Sequence, residues 1–200
     1  MKSIVRCFDN VFLTDKQESI VYASYSRLKG EMNCMRNILD LTRPHVKTVS
    51  HLNFKNKQLN KNWKYLLNTA SSEFPLRTNF EMTRILNMYN GTNEIEIIKS
   101  FNRRRIDVAW KVLNGVLVST NRSKSPPPHN FKIVKGSAYG VFSRAFVEYA
   151  LTNSRVNDLI EWGVDTWSPD EWLWATLQFN TQFKPPGGFK GECISFFTNF

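Results

Sequence analysis

The hydrophobic and polar positions of this 200-residue chain switch between strand-like and helical spacing. Residues 3–14 alternate in the manner of a short strand pair, or of a strand followed by a loop. Residues 16–41 carry apolar side chains at intervals of three to five, which predicts a long helix ending before Pro44. Residues 45–62 are polar and rich in Lys and Asn, and we expect them to form an exposed loop insertion.

The next part of the chain contains a strand signal and a well-marked helix. Residues 63–67 form a compact apolar run of the kind found in buried strands. Either Thr78 or Asn79 can cap a following helix that runs to about Met88, and Asn90 with the adjacent glycine supplies a stop signal.

The second half of the chain continues to alternate between strands and helices. We predict strand-like runs within 110–118 and 136–143, and helices over 144–162 and 168–178. Because strands separated by helices usually belong to one parallel sheet, we expect an α/β domain with a mostly parallel sheet flanked by helices. We find no internal repeat and no linker, so residues 1–200 are expected to form part of a single domain.

Composition and charge bound the function without defining it. The chain is 42% hydrophobic and 14% aromatic, so it can bury a core, and its net charge is +10. Such a charge favours an anionic partner (nucleic acid, anionic lipid or a phosphorylated small molecule), or it is simply a soluble basic surface. The basic clusters at 103–105 and 55–64 lie in no nucleic-acid-binding motif, so we expect no nucleic-acid partner. The apolar runs are too short to span a bilayer, and the N-terminus does not have the pattern of a signal peptide.

Three cysteines, Cys7, Cys34 and Cys193, show no Cys-x-x-Cys spacing. A structural zinc site is therefore not expected.

The stretch "DTWSPDEWLWAT", residues 165–176, contains a helix-start signal. Ser168 can cap, Pro169 suits the first helical position, and Glu171 lies where the acid of a capping box belongs. Two interpretations of Glu171 are open on this pattern, a cap partner or a carboxylate with chemistry to perform.

Several motifs in order carry a resemblance to a known family. They are "CFDNVF", "ESIVYASYSRLKGEMNCM", "WKYLLN", "EFPLRTNFEM", "GSAYGVFSR" and "DTWSPDEWLWATLQ", and they lie within residues 3–43 and 62–179. The chain resembles the core-2/I-branching β-1,6-N-acetylglucosaminyltransferases. The resemblance implies a GT-A-like α/β domain, residence in the Golgi membrane facing the lumen, and transfer of GlcNAc from UDP-GlcNAc to the 6-hydroxyl of an acceptor sugar on O-glycans or poly-lactosamine. It implies inversion at the anomeric carbon and no metal ion or other cofactor.

The resemblance also implies roles for individual residues. Glu171 corresponds to the catalytic base, and Glu96 to an acid that binds the acceptor. Arg105 corresponds to an acceptor-binding arginine, and Arg103 or Lys99 stands nearest to a lysine that the family places before it.

Two tryptophans beside Glu171 have two possible roles. Trp167 and Trp174 either stack against sugar rings or belong to the core, and Trp174 is expected on the same helix face as Glu171.

The resemblance covers only part of the family's catalytic domain, so we expect an incomplete domain with a divergent tail over residues 180–200. The membrane anchor, the uridine-binding loop and the cations that hold the UDP diphosphate have no counterparts in the matched motifs. Cys7 and Cys34 match half-cystines whose partners lie upstream in the family. Two hypotheses follow: a piece of an active transferase, or a truncated, non-catalytic product that binds a glycan or a partner.

Overall fold

The computed structural model of the protein describes residues 13–14, 16–42, 62–70 and 72–188. Both helices and strands occur over these residues, which confirms a chain of mixed helix and strand. The helices are α1 (Tyr25–Thr42), α2 (Asn79–Tyr89), α3 (Arg104–Asp107), α4 (Arg144–Thr152), α5 (Ser154–Gly163) and α6 (Leu173–Phe179). The strands are β1 (Tyr65–Asn68), β2 (Val108–Leu113), β3 (Val116–Ser123) and β4 (Gly140–Ser143).

Three predicted segments lie wholly or mostly outside the described residues. The strands predicted over 3–14 are represented only by residues 13–14, and the loop predicted over 45–62 only by Asn62. Of the divergent tail predicted over 180–200, the structure describes residues 180–188.

The four described strands form two separate antiparallel pairs, β1 with β4 and β2 with β3. Asn68 at the end of β1 lies opposite Gly140 at the start of β4. A parallel pair requires a crossover that returns to the far end of the first strand. Here the chain leaves β1 and enters β4 at the same end of the strand pair, so the two strands are antiparallel. The expected mostly parallel sheet is therefore not found among the described strands.

Helix α1 begins later than the apolar periodicity predicts. Ala23 has a φ of 57°, in the left-handed region, which ends helical geometry on the N-terminal side. The Ser24 hydroxyl then accepts a hydrogen bond from the Ser26 N–H at 3.2 Å and fixes the first turn. The buried face of the helix comprises Leu28, Met32, Met35 and Leu39.

Helix α2 confirms both of its predicted boundary signals. The Thr78 hydroxyl accepts a hydrogen bond from the Glu81 N–H, and the Glu81 carboxylate accepts one from the Thr78 N–H at 2.9 Å. Asn90 adopts φ 45°, which ends the helix.

The helix predicted over 144–162 is two helices, because Asn153 leaves helical geometry at φ −76° and ψ 127°. Its side-chain oxygen accepts hydrogen bonds from the N–H groups of Arg155 and Val156, and so caps α5. Asparagine is among the best capping residues, and here its capping preference splits a segment whose apolar spacing predicts one continuous helix.

The main hydrophobic core lies between α1, β4, α4, α5 and α6. Its largest fully buried side chains include Leu28, Phe142, Phe146, Leu159 and Trp174. The core therefore fixes the positions of the segments that surround Glu171.

Candidate active site

The residues before Glu171 do not form the predicted capped helix. Pro169–Glu171 is a single 3₁₀ turn, and α6 begins only at Leu173. Ser168 has a left-handed φ of 46° and makes no side-chain cap, whereas an N-cap residue needs extended backbone. Its N–H donates instead to the carbonyl oxygen of Ala23 at 2.7 Å. The capping-box interpretation of Glu171 is therefore wrong.

The Glu171 carboxylate forms two ion pairs through one oxygen. Nη1 of Arg105 lies 2.7 Å from Oε2, and Nζ of Lys135 lies 3.4 Å from the same atom. The Glu171 side chain is 33% exposed, so solvent or a ligand can reach it. Within the described part of the chain no group donates a hydrogen bond to Oε1. The carboxylate is thus held on one side and open on the other.

Main-chain contacts at Gly136 bring a third segment close to Glu171. The Gly136 N–H donates to the Glu171 carbonyl oxygen at 2.7 Å. A Cβ atom at Gly136 would overlap the Glu96 carbonyl oxygen and would lie 2.8 Å from Cβ of Ala175, so only glycine fits. The Glu96 main chain is therefore packed beside the turn that carries Glu171, and the Glu96 side chain is exposed.

Arg105 is positioned by the segment that precedes Glu171. The Trp167 N–H donates to the Arg105 carbonyl oxygen at 2.8 Å. The Trp167 ring is partly exposed and contacts Trp110 edge to face, with ring centroids 4.8 Å apart. The Tyr22 ring also contacts Trp167 edge to face, with ring centroids 6.3 Å apart. An aromatic surface of Tyr22, Trp110 and Trp167 therefore adjoins the Arg105–Glu171 pair.

The structure does not bring the other predicted cations to Glu171. Nη2 of Arg103 lies 3.2 Å from Oδ1 of Asp107, and both side chains are more than half exposed. Nζ of Lys99 lies over the ring of Phe179 at 5.8 Å. The cation that accompanies Arg105 is Lys135, for which the sequence gives no signal beyond its place before the "GSAY" motif.

Trp174 is a core residue and leaves no ring face for a sugar. It is 1% exposed and packs against Phe142, with ring centroids 5.3 Å apart. It does not share a helical face with Glu171, because Trp172 interrupts the helix with φ −124°. Of the two candidate stacking residues, only Trp167 can be reached by a ligand.

A partly buried charge cluster supports the turn from behind. Nε of Arg27 lies 3.1 Å from Oδ2 of Asp170 and 3.5 Å from Oε1 of Glu31. Nη2 of Arg27 donates to the Tyr139 hydroxyl at 2.7 Å. Burial raises the pKa of Asp170, and burial together with the Asp170 charge raises the pKa of Glu31 to about 7. Sequence patterns do not reveal this cluster, because its members come from three separate parts of the chain.

The structure describes one of the three cysteines, Cys34. Cys34 is exposed and unpaired within the described residues, and the other two cysteines lie outside them. The disulfide pairing implied for Cys7 and Cys34 stays a prediction.

Neither a metal-binding cluster nor a membrane-spanning helix is found among the described residues. No group of three or more His, Cys, Asp or Glu side chains there could hold a metal ion. Among the described helices, none combines the length and the apolar character needed to cross a membrane.

This arrangement suits a single general base. A carboxylate that is paired on one oxygen, reachable by solvent and fixed by main-chain hydrogen bonds can accept a proton from a bound hydroxyl group. The neighbouring cations and aromatic rings provide hydrogen-bond donors and an apolar face of the kind that bind polar ring-shaped ligands.

Comparison with known proteins agrees with the motifs around this site. The family model described as core-2/I-branching enzyme matches residues 43–196. The chain is 41% identical over 180 residues to human beta-1,3-galactosyl-O-glycosyl-glycoprotein beta-1,6-N-acetylglucosaminyltransferase 3, covering 89% of this chain and 37% of the human protein. The Bos taurus protein of the same name is 42% identical with the same coverage. The beta-1,3-galactosyl-O-glycosyl-glycoprotein beta-1,6-N-acetylglucosaminyltransferase of bovine herpesvirus 4 (strain DN-599) is 41% identical, again over 89% of this chain and 37% of the relative.

The chain thus spans about 37% of the length of these curated relatives. The matched region contains the turn with Glu171, the Arg105 helix and the Lys135 segment. The chain belongs to the core-2/I-branching enzyme family.

Proposed function

We propose that the protein is an inverting glycosyltransferase that moves GlcNAc from UDP-GlcNAc, in β-1,6 linkage, to an acceptor sugar on O-glycans or poly-lactosamine. The observation that carries the proposal is the Glu171 carboxylate, which is anchored through Oε2 by Arg105 and Lys135 and open at Oε1. The names of the relatives support the same reaction, since each is a β-1,6-N-acetylglucosaminyltransferase.

In the proposed reaction Glu171 is the only general base. Oε1 of Glu171 accepts the proton of the acceptor's 6-hydroxyl while that oxygen attacks the anomeric carbon of GlcNAc. The bond from this carbon to the UDP phosphate breaks, and UDP leaves with the electron pair. A glycosidase must also protonate a poor leaving group, which requires a second carboxyl group. UDP is a far better leaving group, so one carboxylate is sufficient on the acceptor side.

We assign acceptor binding to residues around the same turn. Arg105 supplies donors beside Glu171, Glu96 supplies an acceptor on the adjoining segment, and Trp167 supplies an exposed ring for the apolar face of a sugar. Arg103 is a weaker candidate, because its guanidinium pairs with Asp107 at the surface.

Four further features belong to this proposal. The lack of a nucleic-acid partner rests on the missing binding motif, and the other three follow from the family. The complete protein has a GT-A-like fold, lies in the Golgi membrane with its catalytic domain in the lumen, binds no nucleic acid and needs no metal ion or other cofactor.

The test is transfer from UDP-GlcNAc to a β-1,3-galactosyl-GalNAc acceptor by the complete gene product and its Glu171→Gln variant. Removing a general base lowers turnover on the order of 10²–10⁴-fold. We expect that loss with donor affinity retained, and unchanged wild-type turnover when a chelator is added. Glu148→Gln is the matched control, since Glu148 is an exposed carboxylate of α4 paired with Arg144.

Full turnover in Glu171→Gln would refute the role of Glu171. Acceptor binding without any transfer by the wild-type protein would favour the other hypothesis, a non-catalytic glycan-binding module.

A further inference from the structure

Lys135 and Arg105 approach the same oxygen of Glu171 from unrelated parts of the chain. Arg105 belongs to the short helix α3, whereas Lys135 lies in the extended segment that precedes β4. Both cations contact Oε2, at 2.7 and 3.4 Å, so neither occupies the side of Oε1. A carboxylate whose one oxygen accepts a hydrogen bond from Arg105 and pairs with the Lys135 ammonium group loses freedom to rotate its other oxygen away.

The main chain of Lys135 is fixed relative to Glu171. Its N–H donates to the Ile98 carbonyl oxygen at 2.9 Å, and its carbonyl oxygen accepts from the Ile98 N–H at 2.6 Å. The next residue, Gly136, donates to the Glu171 carbonyl oxygen. Only the side-chain torsions of Lys135 are then left to vary, and its Nζ donates a hydrogen bond to the Gly136 carbonyl oxygen at 3.5 Å while it pairs with Glu171.

We propose that Lys135 is a positioning residue for Glu171, holding Oε2 together with Arg105 so that Oε1 is presented to the acceptor hydroxyl. This inference rests on the proposed function of Glu171 as the base. Lys135 acts through the carboxylate and enters no bond-forming step. Fixing a reacting group in the productive orientation is a large part of catalysis, and a small misplacement can lower a rate on the order of 100-fold.

A purely structural role predicts a different pattern. The Lys135 side chain is 27% exposed, and partly exposed ion pairs contribute little to stability. Its loss would then leave both turnover and folding nearly unchanged. A positioning role predicts lower turnover in a protein that still folds.

The experiment uses the complete gene product with Lys135→Met, which keeps the length of the side chain and removes its charge. Lys132→Met is the matched control, because Lys132 is an exposed lysine of the same segment. For each variant kcat and the acceptor KM are measured, with thermal unfolding to verify folding. We expect Lys135→Met to lower kcat about 10- to 100-fold with little change in acceptor KM, and Lys132→Met to behave as the wild type. Lys135→Gln replaces Lys135→Met if the latter does not fold.

A double-mutant comparison separates this role from direct contact with substrate. In the Glu171→Gln background, Lys135→Met should cause no further loss of the residual transfer, since residues that act as a unit are not additive. Additive losses, a raised acceptor KM with unchanged kcat, or wild-type kcat in folded Lys135→Met would each overturn the inference. Retained activity in Glu171→Gln alone would instead refute the proposed base.

Discussion

The partly exposed Arg27 forms an ion pair with the buried Asp170 beneath the turn that presents Glu171. Nε of Arg27 lies 3.1 Å from Oδ2 of Asp170, whose side chain is only 2% exposed. Oδ1 of Asp170 has no hydrogen-bond partner among the described residues. The pair joins α1 to the turn. Two consecutive acids therefore lie in different environments, Asp170 buried and Glu171 partly exposed at the surface.

Arg27→Met should destabilise the protein, because it leaves the buried Asp170 without its counter-charge. Since the Arg27 side chain is itself 36% exposed, we expect a loss of about 1–3 kcal/mol, below the cost of breaking a fully buried pair. Urea unfolding at neutral pH measures the effect. Arg84→Met on the exposed surface of α2 is the control and should change stability by less than about 1 kcal/mol. A loss in Arg27→Met no larger than in this control would contradict the prediction.

Glu31→Gln should stabilise the protein at high pH and not at low pH. The pKa of Glu31 is raised from 4.5 to about 7, by burial first and then by the Asp170 charge. The folded protein therefore holds this proton more tightly than the unfolded chain does. As a result, the free energy of unfolding falls as the pH rises from about 4.5 to about 7. The variant avoids that loss, and we expect a gain on the order of 1–3 kcal/mol at pH 8 and none at pH 4.

Glu81→Gln should have the opposite effect on stability at high pH, measured in the same way. The pKa of Glu81 is lowered by hydrogen bonds from the Thr78 main chain and side chain. Its contribution is present at pH 8 and disappears as the pH falls through the lowered value, so this variant should be less stable at pH 8. Urea unfolding of the Glu31→Gln and Glu81→Gln variants and the wild type at several pH values tests both predictions. If each variant's free energy of unfolding differed from the wild-type value by the same amount at every pH, both pKa shifts would be contradicted.

Trp167→Ala and Trp174→Ala should have different consequences. Trp174 is 1% exposed in the core, so its truncation costs about 3–5 kcal/mol and lowers the yield of folded protein. Trp167 is partly exposed, so we expect a folded variant whose acceptor KM rises about tenfold, as for the loss of one favourable contact. Thermal unfolding and acceptor kinetics distinguish the two, and an unchanged KM in Trp167→Ala would remove this ring from the acceptor site.

Gly136→Ala should damage both stability and transfer. Its Cβ would overlap the Glu96 carbonyl oxygen, and overpacking costs about 1–3 kcal/mol. Gly30→Ala is the control, because the nearest atom to its Cβ is Ile20 Cδ1 at 3.6 Å and alanine favours the helix interior by about 0.5–1 kcal/mol. Chemical unfolding with transfer assays would show the contrast, and equal effects would argue against close packing at Gly136.

Local signals in the sequence predicted the structure where no contact with a distant segment competed with them. Thr78 and Glu81 form the expected capping box because both groups belong to the same helical turn. Ser168 and Glu171 have the same spacing, yet Ser168 bonds to Ala23 from another part of the chain and leaves the N-cap geometry. Tertiary contacts therefore overrode an identical local pattern.

The candidate site was predictable only as far as the family motifs extend. They pointed to Glu171, Glu96 and Arg105, and the structure packs the corresponding segments together. They could not indicate Lys135 or the Arg27–Asp170 pair, because those contacts depend on how distant segments meet. Burial of Trp174 was likewise set by core packing against Phe142 and not by its spacing from Glu171.

The contact of both Arg105 and Lys135 with Oε2 of Glu171 has a consequence for folding. Arg105 and Glu171 are 66 positions apart in the sequence, and Lys135 comes from a third segment. Contacts between residues so far apart in sequence are characteristic of slow folding, whereas a helix forms in about 0.1–1 μs. During refolding, the recovery of ligand binding at this site should therefore lag behind the recovery of helix content measured by circular dichroism.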